Sequence, residues 1–351
     1  MSLPPAALLR SWLVVLAATV AASAGLAALR LPSPVLFGSL LGGMVYALST
    51  SRPLEIPRRA FHVGQGLVGA TIGALVSLPT LQRLGTDWPS IAGVTVGTLL
   101  ISVVTGRLLA LSRDVSPTTG AFALVAGGAS GITALAHELG ADDRVVTIVQ
   151  YLRVLLVLLA MPLVTALVFG ASGSTGAGPG HAVRWLPDLA FTVVSVVAGL
   201  AVARLSRMPA GSLLGPLLVA VPLSVSGLLG PVAVPPPLQD LGYALIGIQV
   251  GLRFTRESLR SIAGLLPLAT VLIAGVIAAC AGMGWVLATA TGVDQLTAYL
   301  ATTPGGLYAV LATAADSGSD VTYVLAVQVI RVFAMLLAAP LLARILLRPP
   351  H

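Results

Sequence analysis

The stretch from Leu265 to Ala288 contains no charged residue, and this most limits what the chain can become. Trp12–Leu29, Val145–Phe169 and Val321–Leu347 are apolar blocks of similar length. A water-soluble helix of that length shows a polar face, and these show almost none. Roughly 20 apolar residues cross a hydrocarbon core about 30 Å thick. Only 9% of the 351 residues are charged, too few to coat a water-facing surface. A soluble domain carries about 25%. The sequence therefore specifies an all-α, polytopic membrane protein.

The blocks repeat. At an offset of 178, Gly127-Gly128 matches Gly305-Gly306, and Gly140 and Asp142 match Gly318 and Asp320. At the same offset Gln150, Arg153 and Pro162 match Gln328, Arg331 and Pro340. Upstream, Gly64, Leu67, Gly69 and Gly73 match Gly242, Leu245, Gly247 and Gly251, and Gly38-Ser-Leu-Leu-Gly42 recurs as Gly211-Ser-Leu-Leu-Gly215. A Gln-x-x-Arg inside an apolar block, in register with Gly-Gly and Gly-x-Asp, is not a compositional accident. The expected organisation is a first membrane repeat over 1–170, a flexible Gly/Ser linker over 171–182 and a second repeat over 183–351. The first apolar block has a counterpart in the second half, so it is expected to belong to the fold and not to a cleaved leader.

Arginine placement orients the segments. All 19 basic residues are Arg, spread between the blocks, which points to membrane flanks and away from nucleic acid. Six apolar segments fall in the first half, near 11–29, 34–50, 61–78, 88–111, 118–137 and 144–169. Six more fall near 187–203, 210–229, 238–252, 262–290, 295–315 and 321–347. Twelve crossings with parallel halves divide the flanking arginines nine to eight. If 118–137 and 295–315 do not complete a crossing, the halves are inverted and the division becomes fourteen to three. Only Arg30, Arg83 and Arg184 then lie outside. The expectation is two inverted repeats of five crossings, each with one re-entrant or broken helix, and cytoplasmic termini; the alternative is twelve crossings.

Chemistry concentrates where polarity interrupts the apolar blocks. Arg153 and Arg331 lie about ten residues into their helices, roughly 15 Å deep. Gln150 and Gln328 share their faces. A midplane Arg is costly unless paired or hydrated. The functional expectation is a site for a small polar or anionic solute; the structural alternative is Arg held by carbonyls freed at the Gly-Gly breaks. Those breaks, Ala126–Gly131 and Thr302–Gly306, point half-helix termini into the protein. The candidate solute-binding set is Gly127, Gly128, Ser130, Gln150, Arg153, Thr303, Pro304, Gly305, Gly306, Tyr308, Gln328 and Arg331. Ala126 stands opposite Pro304, which predicts a softer first break. Asp142 and Asp320 read as helix caps, and Glu138 and Asp316 as proton carriers or caps. The single Cys280 lies inside an apolar block and is expected only to pack. His62, His137, His181 and His351 have no ligand spacing, and no P-loop, dinucleotide fingerprint or nucleophile motif is present. No cofactor, metal or enzymatic activity is expected. The expected partners are the bilayer and a small solute, with homo-oligomerisation left open.

These features resemble the AbrB family of bacterial membrane proteins, which carries an internal membrane duplication. The resemblance rests on the paired Gly-Ser-Leu-Leu-Gly segments, the Gly-rich third segments, Thr303-Pro-Gly-Gly306 and the Gly-x-Asp…Gln-x-x-Arg…Pro series, and it covers nearly the whole chain. It implies the inner membrane and an effect on gene expression. An ammonia monooxygenase label also attaches to the family, but the chain offers no copper or iron ligand set to support it. Any regulatory effect is expected to be indirect, through a transported solute or a partner.

Overall fold

In a computed structural model, all residues are described except 1–4, 51–53, 113–114, 126–140, 172–183, 207, 209, 262 and 347–351. The described residues fold as α-helices. In the first half they are α1 (Pro5–Ala28), α2 (Pro34–Ser49), α3 (Arg58–Ala74), α4 (Leu78–Leu109), α5 (Pro117–Leu124) and α6 (Asp143–Leu167). In the second they are α7 (Trp185–Ser206), α8 (Gly211–Val225), α9 (Pro236–Gly251), α10 (Arg256–Ser261), α11 (Leu266–Thr291), α12 (Gln295–Thr302), α13 (Leu307–Asp316) and α14 (Val321–Leu346). Among the described residues, five helices are long and apolar enough to cross a membrane: Leu8–Ala28, Leu78–Leu109, Arg144–Leu167, Trp185–Ser206 and Leu266–Thr291.

Most apolar segments become helices close to where the sequence places them, and one difference has a physical cause. Helix α4 begins at Leu78, not near residue 88. Its polar first turns read as a loop, yet Arg83 pairs with Asp87 at 3.6 Å one turn on. Arg83 Nη2 also donates to the Thr291 carbonyl at 2.7 Å, tying the foot of α4 to the end of α11. The segment near 295–315 is two helices separated by 303–306, as the Pro-Gly-Gly run predicts. Its counterpart, Ala126–Gly131, lies outside the described residues.

The chain forms two compact units, and each half contributes to both. The first comprises Met1–Leu78, Pro162–Arg256 and Leu311–Val321; the second comprises Pro79–Met161, Glu257–Val310 and Thr322–His351. The boundary after Leu78 recurs after Arg256, at the repeat offset of 178.

The first unit is held by close helix pairs. A Cβ at Gly199 of α7 would stand 2.2 Å from the Pro216 Cα of α8, and one at Gly42 of α2 would stand 2.7 Å from the Thr19 nitrogen of α1. Small residues allow such approach where lipid offers no hydrophobic drive between helices. The duplicated Gly-Ser-Leu-Leu-Gly segment is thus a packing face in both halves. In the second unit, Leu109, Ala123, Leu124, Val149, Leu152, Ala269 and Ile273 share one apolar cluster.

Candidate functional site

The site lies within the second unit and grows from two short helices that stop inside the protein. In the first half, Pro117 opens α5, and the Ser116 hydroxyl accepts the Thr119 N–H at 3.1 Å. After eight residues the helix ends, and its last carbonyls lack intrahelical donors. Gln150 of α6 supplies two of the missing bonds: its Nε2 donates to the Phe122 and Val125 carbonyls, both at 2.8 Å. Arg153 Nη1 donates to the Leu124 carbonyl at 3.0 Å, and Nη2 donates to Gln150 Oε1 at 2.8 Å.

The second half repeats the arrangement atom for atom. Asp294 accepts the Thr297 N–H at 3.1 Å to open α12. Gln328 Nε2 donates to the Leu300 carbonyl at 2.9 Å and the Thr303 carbonyl at 3.1 Å. Arg331 Nη1 donates to the Thr302 carbonyl at 2.9 Å, and Nη2 donates to Gln328 Oε1. Every partner is displaced by 178 residues. A guanidinium at the end of a half-helix also opposes the negative end of its dipole. The structural role foreseen for these arginines, as ties for carbonyls at the breaks, is therefore observed. It uses only part of each guanidinium.

All four side chains are at most 3% exposed. The Nε of Arg153 and of Arg331 is buried and has no partner among the described residues. Neither guanidinium forms an ion pair with a carboxylate among the described residues. The two groups lie within electrostatic reach of each other. Beside them runs the second break. Gly305 has φ +123° and Gly306 φ +70°, backbone that favours glycine. A Cβ at Gly305 would sit 3.5 Å from Arg153 Nε, so the arginine of one half packs against the break of the other. Thr303 and Pro304 are buried, and Gly305, Gly306 and Tyr308 are half-buried.

The family model for AbrB, described as Transition state regulatory protein AbrB, matches residues 35–347. The chain is 35% identical over 326 residues to a protein of Escherichia coli (strain K12) named "Putative regulator AbrB", covering 92% of each chain. It is 26% identical over 310 residues to "Uncharacterized protein YhjN" of Bacillus subtilis (strain 168), covering 83% of this chain and 79% of the relative. This chain belongs to the AbrB family.

The remaining candidates of this AbrB-family chain are distributed unevenly. Gly127, Gly128, Ser130 and Glu138 lie outside the described residues. Asp142 is a helix cap: its Oδ1 accepts the Arg144 N–H at 2.9 Å and the Val145 N–H at 3.2 Å. Its own N–H donates to Thr119 Oγ1 at 3.0 Å, tying the start of α6 to α5. Asp320 immediately precedes α14. Asp316 belongs to the first unit, is buried, and accepts the Ser33 hydroxyl at 2.7 Å. Ser33 is the N-cap of α2, with φ 51° and no cap bond within its own helix, so Asp316 meets the positive end of another helix. Sequence reasoning missed Ser33 and the carbonyls of Phe122, Leu124 and Val125. A signal for the carbonyls was available, since a helix ending at depth must find donors for its last turn.

Proposed function

We propose that the chain is a secondary transporter or channel-like carrier for a small polar or anionic solute, bound where the two repeats meet in the second unit. The observation that carries this is the pair of buried guanidinium groups that, among the described residues, have no partner for Nε and no ion pair to a carboxylate. An uncompensated Arg at membrane depth costs several kcal/mol, and an anion offsets that cost while accepting the free N–H. Half-helices that end at the same place are the device by which inverted-repeat transporters build central sites. The repeats are proposed to be inverted, with ten crossings of the bacterial inner membrane and cytoplasmic termini, because that arrangement divides the flanking arginines fourteen to three. Reporter fusions after Gly180 and at the C-terminus should read outside and inside; the same side for both would return the twelve-crossing arrangement. Asp316, buried on Ser33, is the proposed proton carrier.

The decisive experiment places purified protein in liposomes and follows labelled sulfate, phosphate and small mono- and dicarboxylates. Accumulation of at least one, above protein-free liposomes, is expected. No flux for any would remove the anion-carrier proposal. The names of the family and of the Escherichia coli relative favour a second reading, a membrane-embedded regulator acting through a partner. That reading predicts a captured partner and altered transcription without solute movement.

A further inference from the structure

Helix α11 connects the two arginine centres. Its buried residues Ala269, Ile273, Val276, Cys280, Gly284 and Leu287 recur every three or four positions and form one stripe. At Ile273 the stripe joins the apolar cluster that contains Leu124, whose carbonyl takes Arg153 Nη1. At Gly284 it meets the other centre: a Cβ there would stand 2.7 Å from Thr302 Oγ1, and the Thr302 carbonyl takes Arg331 Nη1. Cys280 lies on the same stripe between these contacts, 1% exposed. Its thiol is within electrostatic reach of both guanidinium groups. It is also about 21 Å from one end of α11 and about 16 Å from the other, close to the middle of the span.

A buried thiol is ordinarily an inert small hydrophobe. Here its stripe runs from one arginine centre to the other, and the Nε of each arginine is buried with no partner among the described residues. We propose that Cys280 forms the third wall of the anion site, enclosing a small oxyanion held by the Nε edges of Arg153 and Arg331. An oxyanion fits because its oxygens can accept from two separate N–H groups. The thiol contributes a small, weakly polar surface that leaves room for the ligand. This inference rests on reading the guanidinium pair as an anion site, and it adds the side that neither repeat motif supplies.

Cys280 is the chain's only cysteine, so wild-type protein is its own probe. Purified protein in phosphatidylcholine liposomes is treated with a sulfonate-bearing or a trimethylammonium-bearing methanethiosulfonate, and modification is followed by intact mass. Neither charged reagent reaches a thiol at the centre of a packed bilayer span without an aqueous path. The anionic reagent is expected to modify Cys280 at least about tenfold faster, the ratio that ~1.4 kcal/mol of electrostatic preference gives. In Arg331→Gln that preference should fall towards unity. Modification only after denaturation, or equal rates for the two reagents in wild type, would overturn the inference. Anion uptake with a silent Cys280 removes the thiol from the site and leaves the carrier standing. Selective modification without uptake of any anion supports the site and removes the carrier.

Discussion

In the first half a serine opens the short helix α5, and in the second an aspartate opens α12; in both, the same Gln and Arg close the end. The difference shows where the constraint lies. The N-terminus of a helix needs one short acceptor, and Ser and Asp supply it about equally well. The C-terminus, buried in the protein, needs donors that reach three carbonyls from a neighbouring helix. Gln and Arg spaced by three provide them and leave the arginine Nε without a partner among the described residues. A second difference separates the N-caps of α2 and α8. Ser33 and Ala210 share a left-handed backbone, with φ 51° and 53°, but only Ser33 has a hydroxyl to give Asp316. Asp316 is thus a buried carboxylate set against a helix N-terminus, which is why the proton-carrier proposal names it.

The equivalence of the closing residues is the easiest point to break. Gln150→Leu and Gln328→Leu each leave two buried carbonyls without a donor, at about 1–3 kcal/mol per group. Each should destabilise the protein by about 2–6 kcal/mol in a thermal or denaturant unfolding assay, and by similar amounts. A large effect in one half alone would mean that the paired geometry hides unequal roles. The opening residues should matter less: Ser116→Ala and Asp294→Ala are each expected to cost about 1 kcal/mol. Exchange is the finer probe. Ser116→Asp and Asp294→Ser should change stability by only a few tenths of a kcal/mol, within the similar ranking of the two caps. The smallest effect is expected at Ala210→Ser, close to zero, against about 1 kcal/mol for Ser33→Ala, which loses a buried hydrogen bond.

Much of this frame is visible in the sequence because polar residues are rare in an apolar chain. Gln150, Arg153, Gln328 and Arg331 stand out, and their shared offset identifies the duplication. Pro304-Gly-Gly marks the second break for the same reason: proline and two glycines interrupt an otherwise continuous helix. The partners of the arginines are less legible, since backbone carbonyls carry no side-chain signature. Ser33 is separated from Asp316 by nearly the whole chain, so no local pattern pairs them. The start of α4 at Leu78 was hidden by its polarity, because Arg83 and Asp87 read as loop until their pairing along one helix face is seen. Cys280 was hidden for the opposite reason: a thiol blends into an apolar stripe unless the groups beside it are known.

The central claim is that the two guanidinium groups do more than close two helices. Arg153→Lys and Arg331→Lys test it most directly, because lysine keeps the charge but cannot hold a carbonyl and an anion along a planar fork. Each variant is placed in liposomes at the same membrane abundance as wild type, and initial uptake is measured for an anion that wild type transports. The account predicts folded protein and a fall in flux of at least about tenfold in both, equivalent to ~1.4 kcal/mol of lost binding or transition-state interaction. Wild-type flux in both variants would contradict it and leave Arg153 and Arg331 as structural ties alone.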